Sequence, residues 1–230
     1  MKSYYINLES RKDRLESFSS EFKKVRSLFV DGCDRIEAIK FNEDPFQNHF
    51  YAGKASCSAS HAKAIRKAIE DGYTKFTIFE DDAVFDELKT ENFITSYDSL
   101  PENFDLFYWG CVFQKSGSIY IPDKRKKSAE NYSETLYKVN SAGTTHAVTY
   151  SLEFAKFLDE KFFPKSYDTT SWVEWQKKYI CYDHWLKFEG VNFKFFSPKF
   201  IYSSQYDNYS DIDGEFSKRD VVIRNSISEI

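Results

Sequence analysis

The chain has 230 residues, of which 41% are hydrophobic, 19% aromatic and 30% charged, with a formal net charge of −4. That is enough apolar mass for a substantial core, and it excludes an intrinsically disordered chain. The acidic balance weighs against a dedicated nucleic-acid binder, whose footprint is basic. No apolar run approaches the roughly 20 residues of a membrane helix, and Met1 to Asn7 lacks a signal-like segment, so no integral membrane segment is expected. Cys33, Cys57, Cys111 and Cys181 are scattered without a C-x-x-C pair. This spacing predicts free thiols, no cysteine-built zinc site and a reducing, cytoplasmic setting.

Tyr4-Tyr5-Ile6-Asn7-Leu8 reads as a first strand. Ser10 is a natural N-cap for a helix that carries Leu15, Phe18 and Phe22. A short strand is predicted from Ile36 to Phe41, and a polar loop over 42–54, which holds Pro45 and Gly53. Ser58 or Ser60 would cap the next helix. His61, Ala64, Ile65, Ala68 and Ile69 then share one face, and Asp71-Gly72 ends it. A strand over 73–79 follows, and this succession predicts an α/β sheet with parallel strands.

That strand stops in Glu80-Asp81-Asp82. Three adjacent carboxylates cannot sit unpaired in a dry core, so they belong at a mouth of the sheet. In open α/β sheets ligands bind at the carboxyl ends of strands. A hard divalent cation that reaches substrate phosphates would hold such a triplet together, and an acidic turn is the plain alternative. Farther on, Phe104 to Gly110 reads as a strand, and 114–135 as a loop or irregular hairpin with Pro122 and the basic run Lys124-Arg125-Lys126-Lys127. Thr144 to Tyr150 is β-rich, and Ser151 would cap a helix through Leu158. Tyr182 to Leu186 opens another helix, and the segment after 196 reads as irregular and polar.

Four constellations admit a chemical reading beside a bland one. Arg11 and Arg14, three apart after the first strand, form a phosphate site at a helix N-terminus or a solvated pair. His61 is a ligand-binding group or a core histidine, and Cys57 a small buried hydrophobe. Asp183 is a general base or a helix N-cap. The 124–127 run is a solvated loop or a contact for a polyanionic acceptor.

In order along the chain, Ile6-Asn7-Leu8-x-x-Arg11-x-x-Arg14, Gly53-x-x-x-Cys57-x-x-Ser60-His61, Phe79-Glu80-Asp81-Asp82-Ala83 and Asp105-Leu106-x-Tyr108-x-Gly110 resemble the motifs of family 25 glycosyltransferases. Weaker echoes are Ala142-Gly143 through Tyr150, Asp183-x-Trp185-Leu186, Pro198 to Gln205 and Ser210-Asp211-Ile212. Ser56 stands where the family has glycine before the cysteine, and Trp109 where it has a smaller aliphatic residue. The resemblance implies an α/β GT-A-like domain, a nucleotide-binding mixed sheet flanked by helices. Residues 1–110 would form its donor-nucleotide half, and 111–230 its acceptor half and tail.

It further implies a nucleotide-sugar donor, a UDP-hexose in the first place, and inversion at the anomeric carbon. Donor contacts fall on Asn7, Arg11, Arg14 and His61, and contacts to Mn2+ or Mg2+ on Glu80 and Asp82. Asp183 is our assignment for the catalytic base. A saccharide is the expected acceptor, with a modified DNA base as the alternative prompted by the basic run. A carbohydrate-binding protein without catalysis and a hydrolase with paired carboxylates are the rival classes. The hydrolase needs two carboxyls on opposite faces of one sugar rather than three contiguous acids.

Overall fold

The computed structural model describes residues 1–115, 118–119, 126–205, 208–209 and 216–217. Pro122, Lys124-Arg125 and Ser210-Asp211-Ile212 lie outside the described residues. The elements are, in order, β1 (Lys2–Asn7), α1 (Lys12–Lys23), β2 (Cys33–Glu37), α2 (His49–Glu70), β3 (Lys75–Glu80), β4 (Ala83–Phe85), α3 (Thr90–Asp98), β5 (Leu106–Tyr108), β6 (Val112–Phe113), β7 (Ala129–Asn131), β8 (Leu136–Val139), β9 (Ala142–Gly143), β10 (Ala147–Ser151), α4 (Leu152–Phe157), α5 (Thr169–Tyr179), α6 (Tyr182–Glu189), β11 (Phe195–Pro198) and β12 (Ser203–Gln205).

Eight strands form one sheet in the order β2-β1-β3-β10-β5-β11-β8-β7. β2, β1 and β3 are parallel, and β10 enters antiparallel between β3 and β5. The sheet is therefore mixed and flanked by helices, the α/β arrangement expected of a GT-A-like domain. Successive strand residues face opposite ways. Tyr4, Phe76, Ile78 and Tyr150 pack with α2, α4, α5 and α6 in one core layer. Phe79, Phe107 and Trp109 pack with Phe18 of α1 and Phe93 of α3 in the other. With both faces covered, the central strands are apolar on both sides, which is why they read as near-continuous apolar runs.

The first two helices begin elsewhere than expected. Arg11, not Ser10, precedes α1. α2 starts at His49 inside the segment read as a loop, capped by Asn48, whose side chain accepts from the Tyr51 backbone N–H at 3.1 Å. Such a cap is worth about 1 kcal/mol. Ser58 and Ser60, read as caps, sit mid-helix with Ser56, and the hydroxyls of Ser56, Ser58 and Ser60 bond back to the carbonyls of Ala52, Lys54 and Ser56 respectively. Their oxygens also accept from the Phe41, Tyr182 and Ile39 backbone N–H groups. The serines stitch α2 to neighbouring chain.

Residues 197–205, read as irregular, are more ordered than expected. β11 lies between β5 and β8, and β12 pairs with β4, with Phe196 and Tyr202 buried. The buried residues of this segment include the polar Ser197, Ser203 and Gln205, so its burial does not follow its hydropathy. Trp109 is fully buried, and its Nε1 donates to Thr149 Oγ1 at 2.9 Å. Among the described residues no helix is long and apolar enough to cross a membrane.

Candidate active site

β1 and β3 run in the same direction with Ile6 opposite Glu80, so Asn7 and Asp81 emerge together at their carboxyl ends. β10 runs the other way with Ala147 opposite Phe79, which brings Thr145 and His146 to the same edge. The acid triplet thus lies at a mouth of the sheet.

Strand alternation then separates the three acids. Glu80 follows Ile78 toward α2, where its Oε1 lies 3.2 Å from His61 Nε2 and accepts from Thr145 Oγ1 at 2.8 Å. Burial works to raise the Glu80 pKa, but the hydrogen bonds from His61 and Thr145 prevail and hold the carboxyl at about 2. Asp81 follows Phe79 toward α1. It accepts from Asn7 Nδ2 at 2.7 Å and from Arg14 Nη1 at 3.0 Å. Burial raises its pKa and outweighs the opposing pull of Arg14 and Asn7. Asp82 accepts from Gln205 Nε2 at 3.2 Å, and Arg14 Nη1 stands 4.0 Å from its Oδ2. Each of the three carboxylates therefore has protein partners of its own.

A cavity of about 410 Å3 opens at this edge, lined by Asn7, Arg14, His61, Glu80 and Asp81 together with the apolar Ile39 and Phe41. A smaller recess of about 50 Å3 shares Cys57, His61 and Glu80 with it and adds Lys54, Asp183 and Gln205. Asp183 is the second residue of α6, and Cys181 holds the N-cap position, so capping does not account for the aspartate. Cys181 Sγ donates to it at 2.8 Å, and Lys187 Nζ lies 3.9 Å away. Burial would raise its pKa, but Lys54 and Lys187 bring it down to about 2.

Arg11 behaves differently from Arg14. As the residue preceding α1 it has a non-helical backbone, φ −98° and ψ 64°, so the shared side expected of positions three apart in a helix does not arise. Its Nη2 pairs with Asp13 Oδ2 at 2.8 Å, and it is absent from the cavity lining. The structure thus brings Asn7, Arg14, His61 and Glu80 to one cavity and Asp183 to the adjoining recess, and leaves Arg11 aside. Asp82 reaches the recess through Gln205.

Thr145, Lys54 and Gln205 were not singled out in the sequence. Lys54 sat in the supposed loop and Gln205 in the supposed irregular segment. Cys57 and His61 carried a usable signal, since positions four apart share a helix face. Ligand atoms of Cys57, His61 and Glu80 lie within 4.8 Å of one another. One donor set therefore stands at this edge among the described residues. The S, N and O atoms of Cys57, His61 and Glu80 suit a borderline cation such as zinc, while Asp82 lines neither the cavity nor the recess.

Residues 1–162 match the family model of Glycosyltransferase family 25 (LPS biosynthesis protein), and the chain belongs to that family. It is a glycosyltransferase. Asp183 lies beyond the matched span. No curated protein matches the chain at a significant level. Among solved structures, A197 from STIV is similar at 11% identity and a TM-score of 0.45, over 93% of this chain and 91% of that one. The mannose-1-phosphate geranyltransferase from Thermus thermophilus is similar at 8% identity and 0.45, over 86% and 72%. A glycosyltransferase involved in the glycosylation of the major capsid of PBCV-1 is similar at 12% identity and 0.38, over 86% and 92%.

Proposed function

We propose that the protein is a metal-dependent, inverting transferase that moves a hexose from a UDP-sugar in the larger cavity to a hydroxyl of a saccharide. The observation that carries this reading is the joint lining of that cavity by Asn7, Arg14, His61, Glu80 and Asp81 at the carboxyl ends of two parallel strands. Residues 1–110 supply this donor side, and Asp183 in the later half faces the adjoining recess.

Glu80 and Asp82 would hold Mn2+ or Mg2+. Such an ion, when bound, offsets the negative charge that gathers on the departing diphosphate. The low pKa of Glu80 supports this role, because the carboxylate is ionised at neutral pH and ready to ligate. Arg14 lines the same cavity and contributes a fixed positive charge toward the phosphates. Ile39 and Phe41 provide an apolar wall for the nucleobase.

Asp183 accepts the proton of the acceptor hydroxyl as its oxygen attacks the anomeric carbon from the face opposite the nucleotide. One such displacement inverts the anomeric centre. The C–O bond to the leaving phosphate breaks with its electron pair on that oxygen. The recess that Asp183 shares with Glu80 and His61 supports this placement.

The test is donor turnover across UDP- and GDP-sugars with and without manganese. UDP-hexose turnover that needs the metal, and a loss of about 100-fold or more in Asp82→Ala with the fold intact, is the expected result. Near wild-type turnover in Asp82→Ala, or activity indifferent to chelation, overturns the metal assignment.

A further inference from the structure

Thr144 has a φ of +74°, in the left-handed region that β-branched residues avoid. The chain on either side explains why it is held there. Gly143 is held in register opposite Val112 where β9 pairs with β6, and β9 lies against α6. On the other side the Thr145 hydroxyl is fixed on Glu80 at 2.8 Å. Thr144 spans the gap between two anchored neighbours.

Its hydroxyl oxygen is buried and has no partner among the described residues. The same is true of Nδ1 in the fully buried His61 ring. Buried polar atoms are nearly always paired, so two orphans in the lining of one recess call for an explanation. Backbone strain of this kind persists where surrounding structure enforces it, and it gathers at ligand sites.

The recess measures about 50 Å3 and is otherwise lined by Lys54, Glu80 and Asp183, among others. That volume admits one or a few water-sized polar groups rather than a whole sugar ring. We infer that the recess binds a hydroxyl on the edge of a sugar ring, and that Thr144 is the residue that selects it. A hydroxyl both donates and accepts. It can give its proton to a carboxylate while taking one from Thr144 Oγ1 or the Lys54 ammonium. A ring lacking that hydroxyl leaves Thr144 Oγ1 buried and unpaired, which is the strongest form of rejection a site of this kind has. The inference rests on the donor-site reading above and assigns part of that site a specificity role.

The experiment compares Thr144→Ala, Thr144→Ser and Thr144→Gly in donor hydrolysis without acceptor, in full transfer, and in thermal unfolding. Thr144→Ala is expected to raise one sugar KM by about tenfold or more, and Thr144→Ser to restore it. A rise in donor KM during hydrolysis places the hydroxyl on the transferred sugar. A rise confined to acceptor KM places it on the acceptor. Thr144→Gly should unfold at or above the wild-type temperature while showing the same KM defect, a pairing that a purely structural threonine would not produce. Unchanged KM values in Thr144→Ala overturn the inference, as does an activity loss that only tracks lowered stability. A wild-type protein that turns over no nucleotide sugar fails at the earlier reading instead, and is told apart because no variant comparison is then needed.

Discussion

The side-chain amide of Asn7 donates to Asp81 Oδ2 at 2.7 Å, joining residues 74 positions apart. Arg14 completes the hold on the same carboxylate at 3.0 Å, with both side chains of that ion pair close to nine-tenths buried. The strand β1, the helix α1 and the acid triplet are therefore tied at one point. Arg35 extends the tie, since its Nε donates to Asn7 Oδ1 at 3.2 Å.

This buried pair predicts a large cost for removing one partner. Arg14→Met leaves the Asp81 carboxylate with Asn7 but without its ion-pair partner, and should destabilise the protein by about 3 kcal/mol or more. Adding Asp81→Asn should recover a good part of that loss, because no uncompensated charge then remains. Urea unfolding of both variants measures it. Equal stability of the single and double variants would show that the pair is not a unit.

Acid stability should depend on Glu80. Its folded pKa of about 2 lies below the ordinary value of 4.5. The group therefore contributes stability that is fully present above about pH 4.5 and is lost as pH falls toward about 2. Asp81, whose pKa is raised, works in the opposite sense and partly masks the loss. Unfolding free energies measured at descending pH should fall more steeply in the wild type than in Glu80→Gln. Parallel curves would mean that the His61 and Thr145 contacts do not favour the ionised carboxylate.

Part of this edge was legible because strand alternation needs only sequence, whereas the register with β1 and β10 does not follow from it. The run Phe76 to Phe79 fixed β3, and the acids after it had to lie at its carboxyl end. The pairing of Glu80 with α2 and Asp81 with α1 follows from the same alternation once the helix on each face is known, but one sequence does not say which helix covers which face. The serines of α2 misled for a physical reason. Ser58 and Ser60 are good N-caps, yet inside a helix a serine can bond the carbonyl four residues back, and here their oxygens serve other backbone N–H groups as well. The loop read over 42–54 failed with them, and Lys54 was lost to view. Gln205 was missed because short strands with polar residues, such as Ser203–Gln205, gain their order from a partner strand rather than from their own apolar run.

Gly110 carries a packing constraint that its place at the end of a strand only hints at. A Cβ there would fall 1.9 Å from the Ser203 carbonyl oxygen, a backbone atom with no rotamer to yield. The Tyr202 and Ser203 backbone N–H groups donate to the Trp109 carbonyl at 3.3 and 3.2 Å, which fixes the two chains against each other. Gly110→Ala should cost about 3 kcal/mol through this overlap. Because β12 carries Gln205 to Asp82, turnover should fall with it. A variant that unfolds at the wild-type temperature would show that the 110 and 203 chains can part freely.

The catalytic assignment of Asp183 yields a kinetic signature. Lys54 and Lys187 keep its carboxyl at about 2 despite burial, so the carboxylate is ionised at neutral pH. Its titration should therefore put no acid limb on kcat/KM from about pH 5 upward. Asp183→Asn preserves size and removes the proton acceptor. It should lower kcat by about 100- to 10,000-fold, the range a general base supplies, while donor KM stays within a factor of about two. Asp183→Glu should retain part of the rate if a carboxylate is what the step needs. A rise in donor KM that matches the fall in kcat/KM would instead put Asp183 on the donor. Unchanged kcat in Asp183→Asn would send the search for the base to the other groups around the recess.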